Sequence, residues 1–410
     1  MQENLFSHVD LSAKSAMIGP LAGRSVVIQP NMSARGWPCE AGSVALERFA
    51  ALEDATIIER LRGAGAIILG STRMAELGFG LIGDTTARVF AEGLCDVALV
   101  TDTMGEARHT ASLARAYGFK PSYGVISRFG LIGLIPSMEC CGIVANTPTD
   151  VAAAMAVLAG ADERDPSMLH SDGPDFAKVS ERQAHVAVAG VIRECIDALQ
   201  PVESEAFGGA LSKLEAAGVR TEEVSMPGFE LFRLVHNVVG SAEASSSAGK
   251  YDGVRYGHRT ANADNWNEMY LKSRAESFGL LVKSYLFQGA YFQFQNYPAF
   301  ENACRIRRRL VQKIQALLEK VDVLVCPAQR SFQDKGALST IEEVYDTFAL
   351  TLPANVTGQP SLSVPGFVTN GGLDLGLQLV GAPLADVQLL SFAARLARLD
   401  SGRGNCEDAK

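Results

Sequence analysis

Apolar residues along this chain alternate between short continuous runs and segments where they return every three or four positions, the signatures of buried strands and amphipathic helices. Strand-like runs lie at 24–29 (RSVVIQ), 66–69 (AIIL), 96–100 (DVALV), 185–188, 219–224, 322–326 (DVLVC), 361–364 (SLSV) and 375–379 (LGLQL). Helix-period segments separate them: 54–63 with Asp54 as cap, 105–117, an Ala-rich helix opened by Thr147 and Pro148, 202–217, nearly all of 228–320, and the closing LADVQLLSFAARLARL. This order predicts an α/β sheet covered by helices on both faces. No repeat or low-complexity linker interrupts it, so a single domain is expected over 19–399, with 1–18 and 400–410 as loosely held ends.

Composition narrows the function classes. At 410 residues the chain can build a large core without covalent staples. Its 46 acidic against 37 basic residues give a net charge of −9, which argues against direct nucleic-acid binding. The one basic cluster, Arg305, Arg307, Arg308, Arg309 and Lys313, has the spacing of a solvated helix face. No apolar run approaches the ~18 residues of a membrane span, and the opening MQENLFSHVD lacks the form of a secretory signal. Eight cysteines without a C-x-x-C pair point away from zinc and disulfides and toward a reducing cytoplasm. Adjacent Cys140 and Cys141 read as small buried residues. Neither metal nor cofactor is expected.

Several segments carry a resemblance. GPLAG at 19–23, DATIIERLRGAGAIILG at 54–70, RMAELGFG at 73–80, FKPSYGVISRFGLI at 119–132, EASSSAGKYDGVRYG at 243–257 and LPANVTGQPSLSVPG at 352–366 resemble the amidase-signature superfamily. Within it they are similar to the A-subunit branch of the aspartyl/glutamyl-tRNA amidotransferases. The resemblance implies an α/β amidase-signature fold, with a large mixed central sheet flanked by helices on both faces. It also implies amide hydrolysis by a serine nucleophile, activated through a second serine and a lysine, with backbone N–H groups as the oxyanion hole.

Three of those parts are missing at the matching positions. The family's lysine lies in I-K-[DE]-N, and this chain reads Ile28-Gln29-Pro30-Asn31. Its nucleophile lies in D-T-G-G-S-I-R, whereas here Asp102-Thr103-Met104-Gly105-Glu106-Ala107-Arg108 puts Glu106 in that place and Met104 in place of a glycine. The G-G-S-S-G-G-S-A run with the bridging serine is expected between FGLIGDTTARVF and DVALVTDT, where only AEGLCD remains. Ser71, Ser122 and Ser137 are available as replacement nucleophiles, but Ser122 and Ser137 read as structural, and Cys95, with no histidine to pair with it, reads as a small buried residue. Glu106 and His109 alone fall short of a metal site. On the substrate side, Arg307 aligns with an arginine that holds the substrate carboxylate, while Phe348 replaces an acidic residue expected to meet the α-amino group.

The chain is therefore expected to be an amidotransferase A-subunit-like amidase homologue without an intact catalytic set. Gln29 and Glu106 are vestigial positions and Arg307 a candidate substrate contact. Its expected role is binding, scaffolding or regulation, as a homodimer or with a protein partner, with a small amide or amino acid as candidate ligand. Two rivals stay open: an active amidase or amidotransferase with a rebuilt site around Glu106, and a regulatory partner of an active amidotransferase subunit. Gln29 and Glu106 should face one cavity, with segment 92–96 either collapsed into it or leaving it open. Glu106 should be hydrogen-bonded, paired with an arginine such as Arg108, or exposed.

Overall fold

The computed structural model describes residues 5–12, 18–81, 85–169, 173–180, 186–330, 338–369 and 371–407. Among these residues eleven strands form one sheet: β1 (Phe6–Val9), β2 (Ser25–Ile28), β3 (Ile67–Thr72), β4 (Val97–Asp102), β5 (Tyr117–Lys120), β6 (Cys140–Ala145), β7 (Val188–Ile192), β8 (Arg220–Val224), β9 (Val323–Pro327), β10 (Ser361–Val364) and β11 (Leu377–Val380). Their spatial order is β1-β3-β2-β4-β6-β5-β10-β11-β9-β7-β8. Two parallel groups, β3-β2-β4 and β9-β7-β8, flank an antiparallel centre. This is the mixed sheet the sequence led us to expect. The helices are α1 (Thr56–Gly63), α2 (Thr85–Ala91), α3 (Glu106–Ala114), α4 (Pro148–Leu158), α5 (Arg193–Ile196), α6 (Pro201–Ala216), α7 (Glu230–Ser247), α8 (Trp266–Ser277), α9 (Leu280–Phe294), α10 (Tyr297–Leu318), α11 (Ile341–Thr347), α12 (Leu352–Thr357) and α13 (Asp386–Glu407).

Strand side chains alternate between the two faces, so each central strand feeds two cores. Val26 and Ile28 of β2 and Val97 and Leu99 of β4 join a cluster with Ile57, Val151, Leu158 and Leu390. Val27, Ala98 and Val100, between them in sequence, pack instead with Val89, Ala107 and Ala111 of α2 and α3. A further cluster gathers Leu324, Cys326 and Val380 with residues of α7, α9, α10, α11 and α12. Strands buried on both faces lose the polar alternation. All six residues of β6, CCGIVA, are buried, as are all six of β4, yet only β4 was expected from the sequence.

The other differences are local. Residues 105–117 read as one helix, but Arg115 takes a left-handed conformation (φ 53°) that ends α3, and the chain enters β5 at Tyr117. Thr147 caps α4 through the Asp150 N–H, with Pro148 in the first turn, as its sequence suggests. Asp54 caps nothing; it accepts from the Arg35 N–H at 2.6 Å and pairs with Arg62. His185, the start of one expected strand, lies outside the described residues, and the observed strand is β7. Phe6–Val9, within the segment 1–18, pairs antiparallel with β3 at the sheet edge, and α13 continues past residue 399.

Two glycines set the position of α3. A Cβ on Gly118 of β5 would lie 2.4 Å from the Ala107 carbonyl oxygen, and one on Gly142 of β6 would lie 2.5 Å from Ala107 Cβ. The helix therefore rests directly on the strand backbones. Gly118→Ala is expected to push α3 outward and destabilise the protein by about 1–3 kcal/mol, read as a lower urea midpoint with an unchanged slope. An unchanged midpoint would show that α3 is not seated by this contact.

Candidate functional site

At the C-terminal end of β4 the chain turns through Asp102, Thr103, Met104 and Gly105 into α3. A buried ion pair anchors this turn. Arg108 and Asp102 are both fully buried and pair at 2.9 Å. The guanidinium also donates to the Thr351 carbonyl at 2.9 Å, to Gln378 Oε1 at 2.6 Å and to Asn355 Oδ1 at 2.5 Å. Asn355 Nδ2 returns hydrogen bonds to Asp102 Oδ1 and to the Asp102 carbonyl. Every charge in the group has partners, which is the condition for burying it.

Beside the ion pair, three consecutive backbone N–H groups converge on one oxygen. Glu106 Oε2 accepts from Thr103 N at 2.7 Å, Met104 N at 2.8 Å and Gly105 N at 3.0 Å. Such a concavity of amides binds anions, and the first turn of a helix adds a favourable dipole. The opposite ends of the same peptides are fixed. The Thr103 carbonyl meets His236 Nε2 at 3.0 Å, and the Met104 carbonyl accepts from Thr351 Oγ1 at 2.6 Å. A carbonyl only accepts, so His236 carries its proton on Nε2 and Nδ1 accepts from the Tyr345 hydroxyl at 2.9 Å. Tyr345 in turn contacts the Tyr285 hydroxyl at 3.0 Å. Gly105 has φ 132°, and a Cβ there would sit 2.1 Å from Thr351 Oγ1. Met104, its neighbour, buries its side chain in the core cluster that holds Val235, Tyr345 and Phe348.

Gln29 and Glu106 line one cleft, together with Arg73, Thr101, His109 and Thr110. Its cavity volume is about 50 Å³, room for a few waters. Gln29 Oε1 accepts from Thr101 N at 2.8 Å, so only its NH2, a donor without basicity, is left to meet a ligand. Glu106 Oε1 is buried and has no hydrogen-bond partner among the described residues. Burial, and next the charge of Asp102, raise the Glu106 carboxyl to about 7 against the pull of backbone N–H groups, those of Met104 and Thr103 among them. Burial lowers His109 to about 4, so its ring is neutral at pH 7; it packs edge-on against Phe348 at 5.6 Å.

The remaining candidates lie elsewhere. Arg307 is not among the cleft residues; it donates to the Val356 carbonyl at 2.8 Å and to Ser137 Oγ and O at 2.7 Å, tying α10 to α12. Ser122 holds Asp386 at the start of α13 through N and Oγ. Cys95 is buried, and its thiol is pushed up to about 12 by burial and Asp96. Segment 92–96 is not among the residues lining the cleft, so it has not collapsed into it. It joins α2 to the N-terminal end of β4, a strand's length from the turn at Asp102, and the cleft is lined on that side by Thr85, Thr86 and Ala87. Among the described residues no three His, Cys, Asp or Glu side chains gather as a metal site.

Comparison with known proteins places this geometry in a family. The Amidase family profile matches residues 7–87 and 86–390. The A subunit of glutamyl-tRNA(Gln) amidotransferase from Synechococcus sp. (strain RCC307) is 33% identical over 402 residues, covering 92% of this chain and 83% of the relative. That of Haloarcula marismortui is 33% identical over 416 residues, covering 95% and 98%. The chain belongs to the amidase family. The crystal structure of the corresponding protein from Thermotoga maritima superposes with a TM-score of 0.79 at 25% identity, covering 96% of this chain and 86% of that one. Peptide amidase from Stenotrophomonas maltophilia shares the fold, with a TM-score of 0.76 at 23% identity, covering 93% and 83%.

In this amidase-family chain the sequence missed His236, Tyr345, Thr351, Asn355 and Gln378 as supports of the turn. No local signal marks them, because each reaches the turn from a distant element. Two outcomes are expected here. Arg108→Met strands a buried carboxylate at Asp102 and costs about 3–5 kcal/mol, measured by urea unfolding. Glu106→Gln keeps an oxygen for the three N–H groups but cannot titrate. Because the folded carboxyl is raised, its stabilising contribution is complete below the unfolded value of about 4.5 and is lost as pH rises through about 7. Wild type should therefore weaken relative to Glu106→Gln across that window, and parallel pH profiles would contradict the assignment.

Proposed function

We propose that this chain is a catalytically inactive member of the amidase family that acts through binding, scaffolding or regulation. The observation that carries this reading is the occupant of the backbone nest: a Glu106 oxygen takes all three N–H groups. An acyl-transfer oxyanion needs such donors free. Gln29, at the position matched to the family's lysine, offers no base. Arg307 spends its donors on Ser137 and Val356, which weakens its candidacy as a carboxylate contact. The cleft favours a very small ligand over a whole glutamine.

A role as regulatory partner of an active amidotransferase subunit has its own support. The curated relatives are named as subunits of an amidotransferase. Phe287, Tyr291 and Phe294 fall on one side of α9 and are 74%, 52% and 77% exposed, with Tyr297 of α10 beside them at 52%. An apolar strip of this kind marks an interaction face.

The purified protein is expected to release no measurable ammonia or amine from glutamine, asparagine or aryl amides. Turnover that persists through repurification and disappears in Glu106→Ala would refute the inactive reading and favour an amidase with a rebuilt site.

A further inference from the structure

We propose that Glu106 is an internal anion that occupies, and so closes, an oxyanion nest which the fold would otherwise offer to a small carboxylate. The three donors meet a single oxygen, Oε2, at 2.7, 2.8 and 3.0 Å, while Oε1 is left buried without a partner among the described residues. A site shaped around the whole Glu106 carboxylate would satisfy both oxygens. This one satisfies one, as a receptor for a single oxyanion does.

The nest does not depend on its occupant. The Thr103 carbonyl is held by His236 and the Met104 carbonyl by Thr351 Oγ1, so the planes of both following amides are set from behind. Thr351 is itself fixed, since its own carbonyl receives Arg108. The third donor, the Thr103 N–H, shares its peptide with the Asp102 carbonyl, which accepts from Asn355 Nδ2 at 3.1 Å, and the close packing of Gly105 on Thr351 fixes the end of the turn. None of these interactions involves the Glu106 side chain. Removing that side chain would leave three aimed donors facing the cleft lined by Gln29, Thr110 and His109. The ligand class is a small monocarboxylate such as formate. A neutral isostere lacks the charge that the donors and the helix terminus favour.

The test titrates full-length Glu106→Ala with sodium formate or formamide at constant ionic strength and follows thermal unfolding. Formate should raise the melting temperature saturably by at least ~2 °C, and formamide should not. Wild type and Glu106→Gln, whose own oxygens fill the nest, should shift by less than a quarter as much. Adding Thr351→Val to Glu106→Ala releases the Met104 peptide and should weaken formate binding by roughly tenfold. Should Glu106→Ala fail to fold unaided, refolding in formate but not in formamide would support the proposal. Failure in both would overturn it, since the nest is argued to stand without Glu106. Equal formate shifts in all the proteins, or none in Glu106→Ala, would also overturn it. Amide turnover by wild type plays no part in this experiment, so it and the inactive reading fail separately.

Discussion

The buried pair of Arg108 and Asp102 is the constraint on which the site depends. Two charges with no solvent contact are tolerable only when each has several partners, and this requirement draws four elements together. Asp102 ends β4, Arg108 lies in the first turn of α3, Asn355 comes from α12 and Gln378 from β11. Arg108 also takes the Thr351 carbonyl, and Thr351 supplies the hydroxyl that fixes the Met104 peptide. A single guanidinium thus transmits the packing of the sheet's centre to the backbone of the nest. Gly118 and Gly142 make the arrangement possible, because only bare backbone lets α3 sit low enough for Arg108 to reach across.

What the nest holds is the second theme. Its donors are already aligned in the folded chain, which is the costly part of building an anion site. The same turn that displays them places a glutamate at the first position of α3, with a side chain long enough to curl back onto them. The result is a carboxylate close to Asp102, with its second oxygen unsatisfied and its proton affinity raised. That is an electrostatically uncomfortable place for a charge. The chain tolerates it with three short hydrogen bonds and a helix terminus.

The outer surface differs from the site in kind. At the turn itself Asp102, Arg108 and the three backbone donors all have partners, whereas α9 presents a row of large aromatic side chains to solvent. Burial elsewhere on the sheet is complete enough that this strip is not a consequence of a poor core. The two regions support complementary parts of the proposed role: a closed interior where the chemistry of relatives is expected, and an open face suited to contact.

Much of the architecture was legible along the chain, because strands and helices impose different periods and because Thr147 and Pro148 match a helix N-cap and first turn. The resemblance to amidase-signature motifs at Ile28 to Asn31 and Asp102 to Arg108 likewise singled out the turn after β4. Tertiary structure decided the rest. Sequence left Glu106 free to pair with Arg108, to hydrogen-bond or to face water, and the choice fell to the backbone because Asp102 had already claimed the arginine. The residues that fix this outcome, His236, Thr351, Asn355 and Gln378, lie 133 to 270 positions away from their partners at the turn. Hydrogen bonds across such separations leave no local pattern, since only the folded sheet brings their ends within reach.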